Sequence, residues 1–283
     1  MSMTTLLAAA VVTLVFCAPG SPGGAGDAQP YVDQFAKATA AAAGWPAGSL
    51  AAVYDPTEQG GLAKLAGADA ALAFIPYAFY VQHGSELHLT PIAQADVDEV
   101  GTQERWSLVA KAGTVTGPTS LAGYTIVSTA GYAPEFVRHS ALQAWPLPTD
   151  VKIESTGQVL SALRRVAGGE RVVALLDQTQ AAALPTLPFA AQLKSVTQSA
   201  PLPVAILAVV GTRLPAARSR GLQAGLLKLG HGPGEADMLS QLHLKGFVAP
   251  QLPGQAPATG QAPATDQPSA TAQASAKGQT RAP

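Results

Sequence analysis

The chain has 283 residues, enough for one large domain or two medium ones. Hydrophobic residues make up 47% of it and charged residues 12%, so it can build a sizeable core. A formal net charge of −1, with no basic run interleaved with aromatics, argues against nucleic acid or an anionic membrane surface as a partner.

The first feature in chain order is the apolar run Leu6 to Phe16, 11 residues long. A bilayer span needs about 20 residues, so the run fits the h-region of a secretory leader instead. Gly26 and Ala28 are small, which suits cleavage after Ala28 and gives a leader over 1–28. Cys17, the single cysteine, closes the run. It is either the lipidated residue of a lipoprotein or a residue lost with the leader, and bulky Phe16 before it favours the second reading. Neither leaves an internal disulfide, so the core alone must hold the fold.

Helix and strand signals then alternate. Tyr31 to Ala43 reads as an Ala-rich helix, Leu50 to Tyr54 as a short strand, and Glu58 to Leu65 as a helix stopped by Gly67. ALAFI (Ala71 to Ile75, after Ala70) reads as a buried strand ended by Pro76, and Tyr77 to His83 as a helical turn. His88 to Ala95 and Trp106 to Lys111 read as strands. Tyr124 to Val127 leads through STAGYA into a helix expected over Pro134 to Trp145, with proline in its first turn. Val151 to Glu154 is a strand, Gln158 to Ala167 a helix with Val159, Leu160, Leu163 and Val166 on one face, and Val172 to Leu176 a strand ending at Asp177. A helix over Gln178 to Leu184, extended chain over Leu193 to Gln198, a strand over Val204 to Val210 and helices over Leu214 to Leu229 and Glu235 to Leu242 complete the order. Continuous apolar strands between helices predict an α/β fold with a parallel sheet. From Gln251 the chain turns to Pro, Ala, Thr and Gln, repeats QAPAT, and has no aromatic residue. Such a segment buries too little to offset the ordering of its backbone, so 251–283 is expected to be a disordered tail.

Catalytic signatures are missing from the sequence. It has no G-x-S-x-G, no P-loop and no H-E-x-x-H, and its five histidines lack metal-ligand spacing. GHGPGE at Gly230 follows a helix, not a strand, and reads as a turn. Neither an enzymatic activity nor a metal or other cofactor is expected.

Four segments carry a family resemblance: ADAALAFIPYAFYVQ, RWSLVAKAGTVTGPTSLAGYTIVSTAGY, QVLSALRRVAGGERVVALLD and TQSAPLPVAILAVV. In that order they resemble the periplasmic solute-binding proteins for phosphate, phosphite and phosphonate of ABC importers. The resemblance implies a two-lobe periplasmic-binding-protein fold with a ligand cleft between the lobes. Lobe one would be 29–107 and 202–250, and lobe two 108–201. It also implies a small-molecule ligand, a membrane permease or a sensor kinase as partner, a monomer, and a periplasmic location.

On the same resemblance, the Ser/Thr/Gly loop opening a lobe-two helix contacts the phosphoryl group, which maps to Ser128, Thr129 and Gly131, with Tyr132 beside them. Helix N-termini attract anions, and glycine lets backbone approach closely, but Ser128 and Thr129 would serve equally as helix caps. Tyr54 and Tyr77, just past strand ends, would form the lobe-one wall. Ser155 and Thr156 open the next helix. Asp177 would pair with a ligand amino group or cap the helix after it. Family members usually carry a histidine, often followed by an acid, where this chain has Ser155-Thr156-Gly157-Gln158. That absent cation leaves two ligand classes open: a phosphate- or phosphonate-type oxyanion, or an apolar, sterol-like ligand in an aromatic cleft.

Overall fold

The apolar run near the start of the chain is a strand of the sheet. The structure, a computed structural model, describes residues 11–20 and 24–254. Strand β1 (Val12–Cys17) lies in parallel between β2 (Leu50–Asp55) and β3 (Ala70–Pro76). Its side chains alternate between two cores: Val15 and Cys17 enter one, Val12, Leu14 and Phe16 the other. A strand covered on both faces has the same composition as a leader h-region, which is why the sequence reads both ways. The expected cut after Ala28 is therefore corrected, because it would take β1 out of the middle of a sheet. Cys17 is 1% exposed within β1, which fits neither expected fate, loss with the leader nor a lipid anchor. Residues 1–10 of the expected leader lie outside the described residues.

Helix α1 (Ala25–Ala42) follows β1 and packs along β2. Its Gln29 carboxamide donates to the Ala52 carbonyl (2.8 Å) and accepts from the Tyr54 N–H (3.2 Å), so it covers the free edge of β2. Helix α2 (Glu58–Leu65) is capped by the Thr57 hydroxyl and tied to β2 by the Asp55–Lys64 ion pair. Pro76 ends β3 and α3 (Tyr77–His83) begins directly. The long β4 (Leu89–Val97) completes this half, and the chain then crosses to the second lobe through β5 (Gln103–Glu104).

The second lobe is built on β6 (Ser107–Lys111), β7 (Thr125–Ser128), β8 (Lys152–Ser155), β9 (Val172–Leu176) and β10 (Leu193–Gln198), in the order β10-β6-β9-β7-β8. Its helices are α4 (Pro134–Phe136), α5 (Val159–Gly168) and α6 (Gln178–Ala183). The helix expected to run from Pro134 to Trp145 is corrected here: it is α-helical for three residues and then widens into a π-turn over Val137–Ala141. The chain returns through β11 (Leu202–Pro203), which pairs antiparallel with β5, and ends with β12 (Ala205–Val210), α7 (Ala216–Leu226), α8 (Glu235–Ser240) and β13 (Leu244–Val248).

The first sheet has the order β13-β4-β12-β3-β1-β2. It is not wholly parallel, as the alternation suggested. β1, β2 and β3 run together, whereas β12 pairs antiparallel with β3 and β4, and β13 antiparallel with β4. The second sheet repeats the design, with β7, β8 and β9 parallel and β6 antiparallel to β9 and β10. The antiparallel member is in each case the strand that enters the lobe at a crossing: β6 runs against β9 and β12 against β3, whereas the strands that leave, β4 and β10, run with the β-α-β strands. At the C-terminal end, Leu252 is buried and the Gln251 N–H donates to the Gln94 carboxamide (3.0 Å), so packing continues past residue 250. The rest of the expected tail, 255–283, lies outside the described residues. No helix among the described residues is long and apolar enough to cross a membrane.

Candidate functional site

Strands from the parallel set of each sheet end toward one cleft. β1, β2 and β3 deliver Gly20, Tyr54 and Tyr77 from one lobe, and β7 and β9 deliver Thr129 and Asp177 from the other. The cleft has a volume of about 680 Å³. Phe16, Phe74, Tyr77, Trp106 and Phe136 give it an aromatic wall. Phe16 and Phe74 meet edge to face at 5.0 Å, Trp106 and Phe136 at 5.2 Å, and Tyr77 and Phe136 at 6.2 Å. The last of these contacts joins the lobes. So does the Glu135 N–H, at the start of α4, which donates to the Gln82 carboxamide at the end of α3 (3.1 Å).

The expected site residues divide into two groups. Tyr54, Tyr77, Thr129, Tyr132 and Asp177 line the cleft. Ser128, Gly131, Ser155 and Thr156 do not line it, and Ser128, Gly131 and Thr156 have structural work nearby. Ser128 is buried, with its hydroxyl accepting from the Ala130 N–H (3.2 Å) and its carbonyl from the N–H groups of Gly131 (3.1 Å) and Thr156 (2.9 Å). Gly131 presses against β8, where an added Cβ would sit 2.2 Å from the Glu154 carbonyl oxygen. Ser155 is exposed on β8, in register with Ser128. The Thr156 hydroxyl accepts from the Gln158 N–H (3.1 Å) ahead of α5.

Asp177 combines the two roles expected as alternatives. Its carboxylate accepts from the Gln180 N–H (2.7 Å), closing a capping box on α6, while the residue faces the cleft. The same Gln180 reaches the Thr129 hydroxyl at 3.4 Å. Burial raises the Asp177 carboxyl above its ordinary range, against the pull of the Gln180 and Thr179 N–H groups. Burial also raises the phenols of Tyr54, Tyr77 and Tyr132, which therefore stay protonated and act as donors.

Sequence reasoning missed two parts of the wall. The first is the stretch after β1: Gly20, Gly24, Asp27, Ala28 and Tyr31 all line the cleft. APGSPGGAG between an apolar run and a helix is a strand–glycine-loop–helix signal, and reading the run as a leader hid it. The second is Glu104, on the crossing strand β5, 9% exposed and directed into the cleft. Burial, and then the charge of Asp177, push its carboxyl up to about 7. No local signal marks it, because Asp177 is remote in sequence. Asp27, Glu104 and Asp177 thus line the cleft, and among the described residues no lysine or arginine does. Cys17 also borders it, but burial pushes the thiol up to about 12. No cluster of metal-ligating side chains occurs among the described residues.

Comparison with known proteins bears on what this architecture is. A family model described as "ABC transporter, phosphonate, periplasmic substrate-binding protein" matches residues 62–252. The chain belongs to this family. Its role in an ABC importer implies a small-molecule ligand and a membrane permease, and its location is periplasmic. Solved structures share the fold at low identity. XAC2383 from Xanthomonas citri, bound to chloride, is 16% identical with a TM-score of 0.64, over 86% of this chain and 92% of that one. PhnD1 from Prochlorococcus marinus, in complex with methylphosphonate, is 15% identical with a TM-score of 0.57, over 85% and 93%. A binding protein component of an ABC phosphonate transporter from Pseudomonas aeruginosa is 15% identical with a TM-score of 0.54, over 86% and 82%. No curated protein sequence matches the chain.

Proposed function

We propose that this protein captures a solute with an apolar or aromatic body and a cationic end, and presents it to the permease of an ABC importer as a monomer. The observation that carries the ligand class is the charge of the cleft: Glu104, Asp177 and Asp27 line it without a lysine or arginine among the described residues. An oxyanion there would face carboxylates and would lack charge-assisted donors, each of which contributes about 1.5–3 kcal/mol. A cation beside Asp177 would meet a charge of the right sign, and aromatic faces such as Tyr77 and Trp106 add cation–π attraction. A volume of about 680 Å³ also falls within the range of clefts that enclose drug-sized ligands.

A phosphonate-type oxyanion is the second reading, favoured by the family match. The Thr129 hydroxyl and the phenols of Tyr54, Tyr77 and Tyr132 would be its donors. Calorimetric titration with octyltrimethylammonium, phenethylammonium and methylphosphonate separates the two. Binding of an ammonium probe, lost in Asp177→Asn, supports the cationic reading. Binding of methylphosphonate with indifference to both ammonium probes replaces it with the second.

A further inference from the structure

Glu104 lies on the one part of the cleft wall that is also the crossing between lobes. β5 and β11 form a two-stranded sheet of their own there. The groups packed around the carboxyl can be taken element by element. β11 brings Leu202 and Pro203, which do not titrate. Next in the chain, Arg105 turns away and donates to the Ser199 carbonyl (2.8 Å), while the Trp106 indole approaches the carboxyl. The start of α6 brings Asp177 and the Gln178 N–H. Across the cleft stand Asp27, the phenols of Tyr54, Tyr77 and Tyr132, and the exposed His243. Asp177 is the one charge among them that acts strongly on Glu104. Two carboxyls in one poorly solvated space resist ionising together, so the pair holds a proton that a lone surface glutamate would have lost.

We propose that Glu104 is a proton-linked recognition group: only partly ionised in the empty cleft near neutral pH, it ionises fully when a cationic headgroup enters beside Asp177, so capture releases protons. The proposal rests on the cationic reading of the cleft. The step balances simply. The ligand cation and the neutral carboxyl go in, a carboxylate–cation pair is formed, and the proton leaves to water. Burial and the Asp177 charge raise Glu104 from an ordinary value of 4.5 to about 7, and the cation removes the reason for that rise.

Octyltrimethylammonium is a suitable probe because its own charge does not titrate. Calorimetry at pH 7 in two buffers of different ionisation enthalpy counts protons. About half a proton should leave per probe bound by the wild type, and affinity should fall toward tenfold per pH unit as the pH drops below about 6. In Glu104→Gln both effects should vanish. Probe binding with no proton release, or with equal release by Glu104→Gln, overturns the proposal and leaves the cationic cleft standing. Failure of the probe to bind at any pH overturns both. Methylphosphonate binding that strengthens as pH falls makes Glu104 a proton donor to an anion, and also overturns it. Melting of the empty protein needs no ligand. A carboxyl whose folded value lies above its unfolded one stabilises the fold below the unfolded value, and that stability is lost as pH rises through about 7. The melting temperature should therefore rise between pH 8 and pH 5 in the wild type and stay flatter in Glu104→Gln. Equal pH profiles of the two proteins overturn the proposal.

Discussion

Two strand–loop–helix units face each other across the cleft, and they spend their polar groups differently. In one, β1 leads through Ala18, Pro19 and Gly20 to Gly24 and the 18 residues of α1. In the other, β7 leads through Thr129 to Ala133 into α4, which is α-helical for three residues. The second unit carries the hydroxyls that read as a phosphoryl cradle. Yet Ser128 uses its hydroxyl on the Ala130 N–H and its carbonyl on Gly131 and Thr156, and the Ala133 N–H returns to the Ala130 carbonyl (2.9 Å). The first unit has a glycine cap with no side-chain hydrogen bond, and an acid, Asp27, in its first turn. A Ser/Thr loop before a helix is thus no measure of a ligand site until the destination of each N–H and O–H is known.

The largest break in this comparison is removal of the first unit's strand. A protein beginning at Gln29 lacks β1, and with it the ladders to both β2 and β3. It should show no cooperative thermal transition by circular dichroism, since buried Leu14, Val15 and Phe16 would each forfeit about 1.5–3 kcal/mol of burial. A sharp transition near that of the full chain would restore the cut after Ala28.

Glycines test the two loops at a smaller scale. In Gly131→Ala the new Cβ would lie 2.2 Å from the Glu154 carbonyl oxygen and 2.6 Å from the Ser155 nitrogen, both backbone atoms of β8. The β7–β8 ladder must then open, at a cost of about 3 kcal/mol, read as a lower denaturation midpoint. In Gly20→Ala the Cβ meets the Thr129 carbonyl oxygen at 3.0 Å, from a left-handed backbone with φ +83°. That contact is between lobes, so about 1 kcal/mol of strain should be joined by weaker closure, seen as a larger radius of gyration by small-angle scattering.

The contrast also marks what could be read from the sequence. Period and length suffice for elements whose partners are near in the chain. The Val172 to Leu176 strand, the α5 stripe through Val159, Leu163 and Val166 (Leu160, expected on the same face, is exposed), and the Asp177 cap three residues before Gln180 are all local patterns. Composition could not separate β1 from a leader h-region, because both are short apolar runs followed by small residues. Nor could it keep the helix from Pro134 going, because the π-turn at Val137–Ala141 leaves no mark in the periodicity. Of the site, Tyr54 near the end of β2 and Tyr77 just past β3 were legible from the rule that ligands gather at strand ends. Glu104 was not, because its meaning comes from Asp177, brought beside it only when the chain has crossed between lobes and folded back.

The smallest expected effects divide the two hydroxyls that the sequence treats alike. Ser128→Ala leaves the buried Ala130 N–H without its acceptor, which costs about 1–2 kcal/mol, or roughly 2–6 °C of melting temperature, and leaves ligand affinity unchanged. Thr129→Val gives up only a 3.4 Å contact with Gln180, so stability should hold within about 0.5 kcal/mol. The Thr129 side chain borders the cleft, so what changes is affinity, in a direction that names the ligand. A cationic or apolar solute should bind the valine variant as well as the wild type or slightly better, whereas an oxyanion that accepts from the hydroxyl should bind it several-fold more weakly. If Ser128→Ala proved to be the variant that loses ligand at unchanged stability, the second loop would be a cradle after all, and the hydrogen bonds that Ser128 makes within its own turn would have to break when the ligand arrives.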